Sequence, residues 1–551
     1  MIGVAARPDQ QRVVEEFFEL FKTPWEIYRP GRSYDVVIAT VDTQADPIAR
    51  LIIVSGSDAR SVDQLHRLEG SVTRDGTSVE HDGFVVPIYG DARTFRDTGT
   101  PIAPFVAAAG SAGRGVRVGY DLFDQISRLL TAGQPADHAA SPALDLHIAM
   151  VRGWILAAGV RLVEIPPSPA GHPFIVCLTH DIDFIGIRMH RFDHTMWGFL
   201  WRSTIGVVVD LLRGRTTIGR AVAAWRAALS LPFVYLGWAR DFWEPFAWYQ
   251  RVERGLPATY FLIPFKGRRG DRVPGAGASR RAAAYDVMDE RDTARALADE
   301  GCEIGVHGID AWHSASLGRD EAARVAAATG EPPSGIRTHW LLADSASPAA
   351  LEGAGYAYDS TVGFNETIGY RAGTTQVFRP LETRTLLELP LHIQDGALFY
   401  PSRLHLSEDE AAAWCDRLIE WARRSGGVLT VLWHDRSHAP ERFWGDFYIR
   451  LIARLKAAGA WFATGRQAVA WFGRRRRVRF ERIGLSKDLW RIHGTADAAA
   501  APALIVRVHQ SPTTSVDIAW NAASVIDVDA RLDSVVAHVD DWSSMAIGTA
   551  S

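Results

Sequence analysis

The sequence predicts an α/β protein whose central part is built on a parallel sheet or barrel. Three observations predict it. From residue 170 to about 473, short apolar runs alternate with helix-like stretches, the pattern of successive βα units. Pro166-Pro167-Ser168-Pro169 marks a boundary just before that region. At 551 residues the chain is also longer than one ordinary domain. We therefore expect an N-terminal α/β domain over 1–165, a parallel-sheet domain over 170–473 with a Trp-rich helical insertion at 185–250, and a small β module over 478–551.

In the first part, Val13 to Phe21 has helical spacing, and Asp35 to Ala39 and Arg50 to Val54 read as strands. Tyr120 to Leu130 reads as a helix, followed by a Gly/Ala/Pro-rich loop from Thr131 to Pro142. In the central part, Phe174 to Leu178 reads as a buried strand that runs out into His180, Asp181 and Asp183. Asp289 to Glu300 reads as a helix stopped by Gly301, a residue that tolerates a left-handed helix end. Cys302 to Val306 then reads as a strand, with His307 after it. Gly335-Ile336 leads into Arg337 and His339. Glu408 to Arg424 reads as a helix and Val428 to Trp433 as a strand, with His434 at its end. The run Arg474 to Arg477 reads as a solvated linker. Beyond it, Ala503 to Val508 and Val516 to Trp520 read as strands of the last module.

Composition excludes some classes of function. The chain is 47% hydrophobic and 23% charged, as globular proteins are. A net charge of -4 gives no bulk attraction to nucleic acid. Its three cysteines, Cys177, Cys302 and Cys415, are far apart and odd in number, so no disulfide framework is implied. Residues 1–11 lack an apolar signal core, which points to a cytoplasmic, reducing location. The apolar stretch Met196 to Leu212 is broken by Arg202 and Asp210 and is too short for a span. Six tryptophans between Trp197 and Trp248, with Arg213, Arg215 and Arg220, leave peripheral membrane contact open beside a plain packing role.

The chemistry-bearing residues recur just past apolar runs. In barrels of parallel strands such positions converge on one face, where active sites are built. Leaving Asp181 and Asp183 unpaired beside a core would cost several kcal/mol per charge, on the order of what breaking a buried ion pair costs. A cation satisfies both at once. Imidazole combined with carboxylate suits zinc or another first-row divalent ion better than calcium or magnesium.

At these residues the sequence resembles the polysaccharide deacetylases, the carbohydrate esterases with NodB homology. Leu178-Thr179-His180-Asp181-Ile182-Asp183 resembles the family's first motif in a Thr-His-Asp-x-Asp variant. Glu303 to Gly308 resembles the second motif, Ile336 to Leu341 stands in place of the third, Leu389 to Asp395 resembles the fourth and Leu432-Trp433-His434 the fifth. Glu15 to Glu26 and Tyr120 to Asp124 resemble the N-terminal extension of the branch bearing that variant. The resemblance implies a distorted (β/α) barrel of the NodB-homology type holding one divalent metal ion, most often zinc. It implies Asp181 as base, Asp183 and His307 as metal ligands, Arg337 as the residue that orients the base, and His434 as general acid. Asp395 is placed to orient His434 or Arg337. The usual second histidine, four residues on, is Ala311 here. His313 and His339 remain as candidates, and the Arg-x-His pattern of the branch favours His339.

The function so implied is metal-dependent hydrolysis of an amide, N-deacetylation of an N-acetylated sugar or of an exopolysaccharide precursor. Two alternatives stand beside it: a degenerate fold that binds glycan without cleaving it, and a hydrolase of another small N-acyl compound.

Overall fold

The computed structural model describes residues 1–43, 49–106, 113–273, 278–483, 489–495, 501–522 and 525–530. The chain divides into two compact units, one of residues 134–140 and 172–469, the other of 1–133, 141–171 and 470–551.

The first of these units is an α/β domain on a parallel sheet. Its strand order is Leu387–Glu388, Tyr358–Asp359, Gly335–Thr338, Glu303–Gly308, Ala258–Leu262, Ile175–Ile182, Val428–Leu432 and Leu391–Gln394, with Trp461–Phe462 also pairing Ile175–Ile182. Every pairing in it is parallel. Among the described residues no pairing joins the two end strands, so the curled sheet is an incomplete barrel. The central strands are buried on both faces, which is why they read as continuous apolar runs rather than alternating ones: Val428 to Leu432 is buried throughout. Helices such as Arg291–Asp299, Ala315–Thr329 and Glu408–Ser425 cross between strands. The last carries a capping box in which Ser407 and Glu410 satisfy each other's backbone N–H groups.

One boundary differs from the sequence reading. The Ile175–Ile182 strand does not stop at Leu178 but continues through Thr179, His180 and Asp181. Polar residues can extend it because each finds a buried partner, described below.

The insertion consists of helices His194–Trp201 and Val207–Leu212, joined through a π-helical turn at Arg202–Gly206, and of helix Ile218–Tyr235. Met196, Phe199, Ala227, Leu231 and Val234 pack in one apolar cluster, and Val207, Ala221 and Ala224 in another. Among the described residues no helix is long and apolar enough to cross a membrane.

The other unit has a six-stranded sheet in the order Trp25–Ile27, Ile2–Ala5, Val36–Ala39, Leu51–Ser55, Arg114–Val118, Ile102–Val106, parallel except for the last pair. Leu162–Glu164 pairs antiparallel with Leu504–His509, which pairs with Ser515–Trp520. Arg479–Arg482, Leu489–His493 and Ile526–Asp529 form a further antiparallel sheet. The arginine run is not the expected solvated linker. It is the last turn of helix Gly465–Arg477, and Arg475 is buried, donating to the carbonyls of Ile165, Glu19 and Leu20. Arg476 makes a two-pronged pair with Glu16 at 2.7 and 2.8 Å.

Candidate metal centre and its acid–base groups

The period of two along a strand sets the first layer of the site. Thr179 and Asp181 point to one side of the Ile175–Ile182 strand, and His180 points to the other. Arg337 Nη1 reaches both Thr179 Oγ1 (2.9 Å) and Asp181 Oδ1 (3.0 Å). On its far side the guanidinium is pinned by Ser360, whose carbonyl and Oγ accept from Nε and Nη2 at 2.9 Å each. Arg337 is completely buried and also lies over the Phe261 ring at 4.6 Å. A buried guanidinium is tolerated here because its donors are used and a carboxylate stands beside it.

His307 sits in register with Arg337 on the neighbouring strand. Its Nδ1 lies 3.0 Å from the Arg337 carbonyl oxygen. That contact places the proton on Nδ1 and leaves Nε2 with a free lone pair. Nε2 is 3.3 Å from Asp183 Oδ1 and 3.9 Å from Asp181 Oδ2. His339 follows the Gly335–Thr338 strand, and the backbone after it turns through left-handed conformations at Trp340 (φ 67°) and Leu341 (φ 52°). Its Nε2 is 3.2 Å from the same Asp183 Oδ1. Arg281, buried, donates to the carbonyls of His339 (3.0 Å) and Ile309 (2.9 Å) and so ties down the loops behind both histidines.

Asp183, His307 and His339 are thus the group, among the described residues, whose ligand atoms lie within 4.8 Å of one another. Asp183 Oδ1 is buried and accepts no hydrogen bond. Burial alone would raise the Asp183 carboxyl, but the charge that His339, and then His307, carries when protonated outweighs it and holds the carboxyl well below its usual range. Burial pushes His339 down to about 3, against the pull of Asp183. Carboxylate and neutral imidazole are the ligand forms of these side chains. His313 is placed elsewhere, its Nε2 3.0 Å from Asp310 Oδ1.

The second layer gathers at His434. Its Nδ1 is 2.5 Å from Asp395 Oδ1, and its backbone N–H donates to Asp395 Oδ2 at 2.8 Å. Ser437 Oγ also donates to Asp395. Burial opposes charge on His434, yet Asp395 more than compensates and raises the imidazole to about 10. Asp395 therefore faces His434 rather than Arg337. Burial, followed by the charge of Asp183, pushes neighbouring Asp435 up to about 7, and its Oδ1 accepts the Asp183 backbone N–H at 3.3 Å.

His180 faces away from this cluster. Its Nδ1 meets the Trp433 carbonyl at 2.9 Å, its Nε2 lies 2.9 Å from Glu253 Oε1, and its ring packs on Tyr249 at 3.8 Å. Tyr249 in turn donates to the His434 carbonyl at 2.8 Å. Glu253 and Arg281 were missed by sequence reasoning, and they carry no local signal. Asp435 and Ser437 were also missed, although their closeness to His434 in the chain was a usable one.

A cavity of about 400 Å³ opens on Asp183 and His339. Arg202, Arg280 and Arg436 line it, together with Trp340 and Tyr400. Among the described residues these three arginines make no ion pair. Arg436 instead lies over the rings of Phe184 (3.8 Å) and Trp243 (4.5 Å).

No protein-family model and no curated protein matches the chain. The chain is similar to solved polysaccharide deacetylases. A structure described as a polysaccharide deacetylase from Mycobacterium smegmatis is 17% identical, covering 56% of this chain and 95% of its own, at a TM-score of 0.34. The chitin deacetylase of the fungal pathogen Colletotrichum lindemuthianum is 13% identical, covering 55% and 89%, at 0.27. Puue allantoinase is 13% identical, covering 56% and 92%, at 0.35.

Proposed function

We propose that this chain is a metal-dependent amide hydrolase that removes the acetyl group from an N-acetylated sugar or sugar polymer. The observation that carries the reading is Asp183 Oδ1, buried, without a hydrogen bond and flanked by two imidazole nitrogens. Four ligands at about 2.0 Å in a tetrahedron stand about 3.3 Å apart. The separations of 3.3 and 3.2 Å from Asp183 Oδ1 to His307 and His339 fit that shell. Asp183, His307 and His339 would hold the ion, and two imidazoles with one carboxylate are a donor set that catalytic zinc sites use. When bound, the ion supplies Lewis-acid polarisation of the acyl carbonyl and acidifies the attacking water.

The remaining steps belong to the chain's own residues. Asp181, aimed by Arg337, takes the proton of the water as its oxygen bonds to the acyl carbon. His434, charged through Asp395, gives a proton to the nitrogen as the C–N bond breaks. Acetate and a free amine leave. The unpaired arginines of the cavity favour a substrate that carries an anionic group near the amide.

The test is an acetate-release screen over N-acetylated glycans and sugar phosphates, with chelator and with added zinc. Release that chelation abolishes and zinc restores supports the reading. Zinc-loaded protein that binds glycan without releasing acetate, or release that chelation leaves unchanged, overturns it.

A further inference from the structure

We propose that the helical insertion is a docking surface for an anionic lipid bilayer. Each of its helical arms carries two apolar stripes where a globular helix needs one. The inner stripes, Met196 and Phe199 on one arm and Ala227, Leu231 and Val234 on the other, pack together. The outer stripes face solvent. On the first arm Trp197, Trp201, Ile205, Val208 and Leu212 follow one another at helical spacing, with Trp201 60% and Leu212 83% exposed. On the second arm Ile218, Trp225, Leu229, Phe233 and Leu236 do the same, with Leu229 76% exposed. Thirteen large apolar side chains are exposed between residues 192 and 238, a density far above scattered surface apolar residues.

Charge decides between occupants. Residues 188–240 contain eight arginines and two aspartates. Two copies of so basic a face would repel each other, which disfavours self-association. An anionic bilayer is complementary to it, and tryptophan on an apolar face bordered by arginine suits the headgroup region. Arg213, Arg226 and Arg240 are exposed and make no ion pair among the described residues, so they are available to lipid phosphates. The helix carrying Trp197 and Trp201 also lines the cavity, through His194, Thr195 and Gly198. Docking would therefore bring the cavity with Asp183 and His339 to the bilayer surface. This deepens the deacetylase reading by assigning its substrate to that surface, but the docking itself is measured without turnover.

The experiment is co-sedimentation of the full chain with vesicles of phosphatidylcholine alone and of phosphatidylcholine mixed with phosphatidylglycerol, at low and high salt. We expect binding to the mixed vesicles that weakens with salt. Trp201→Ser with Leu229→Ser should lower the partition at least about tenfold. Arg213→Gln and Arg226→Gln should each lower it about fivefold, and only on the anionic vesicles. All four side chains are exposed, so the thermal midpoint should hold. Wild-type protein that stays in the supernatant with both vesicle types overturns the proposal. So does a dimer in sedimentation velocity that the same serine substitutions dissociate, which would assign the face to a second copy.

Discussion

Asp395 holds His434 from two directions, with Oδ1 2.5 Å from the imidazole Nδ1 and Oδ2 accepting the His434 backbone N–H at 2.8 Å. The first contact sets the charge of the ring and the second sets its position. Replacing Asp395 by Asn keeps the shape and removes the charge. The charged pair stabilises the fold through a histidine raised to about 10 and a carboxyl held low. The histidine's share is fully present below its ordinary pKa of about 6.5 and is lost as pH rises through about 10. The aspartate's share is present above the ordinary carboxylate pKa and is lost as pH falls through its own lower value. Asp395→Asn should cost about 3 kcal/mol at pH 6. The thermal midpoints of variant and wild type should converge as pH approaches 10. A gap that does not change with pH between 6 and 10 would count against the charged pair.

The two histidine candidates separate by metal content. His339→Gln should lose the ion with an affinity drop larger than the roughly 10–100-fold that loss of an outer partner costs. His313→Gln should keep it, because His313 is engaged with Asp310. Elemental analysis of both purified variants after dialysis against zinc decides the matter.

Asp181→Asn tests the base apart from the ion. Asp181 Oδ2 is 3.9 Å from His307 Nε2, outside the three-residue group. Metal content should stay near wild type while kcat falls about 10²–10⁴-fold. Loss of metal in this variant would instead make Asp181 a ligand.

Arg337→Lys should not rescue Arg337. A lysine reaches one acceptor, whereas the guanidinium serves Ser360, Thr179 and Asp181 together. We expect a loss of about 3 kcal/mol in urea unfolding, with kcat reduced alongside.

Arg202 tests the anionic substituent. Arg202→Gln should raise KM about tenfold for a negatively charged N-acetyl substrate and leave a neutral one unchanged. Equal effects on both would place Arg202 outside recognition.

Much of the barrel was legible because its signals are local. Apolar runs, glycine helix stops and a polar residue just past each run are written within about ten consecutive positions, and they marked Asp181, His307, Arg337 and His434. What the sequence could not determine was which distant groups meet. His313 lies six residues from His307 and His339 thirty-two, yet it is His339 that faces Asp183. The order of strands decides that, because it sets Gly335–Thr338 directly beside Glu303–Gly308. The same holds for Glu253 under His180 and Ser360 under Arg337, pairs separated by 73 and 23 positions. The arginine run shows the limit most plainly. Four consecutive arginines look solvated until helix Gly465–Arg477 turns Arg475 onto three backbone carbonyls. Local pattern determines the elements, but a buried charge is settled only by the partners that packing brings to it.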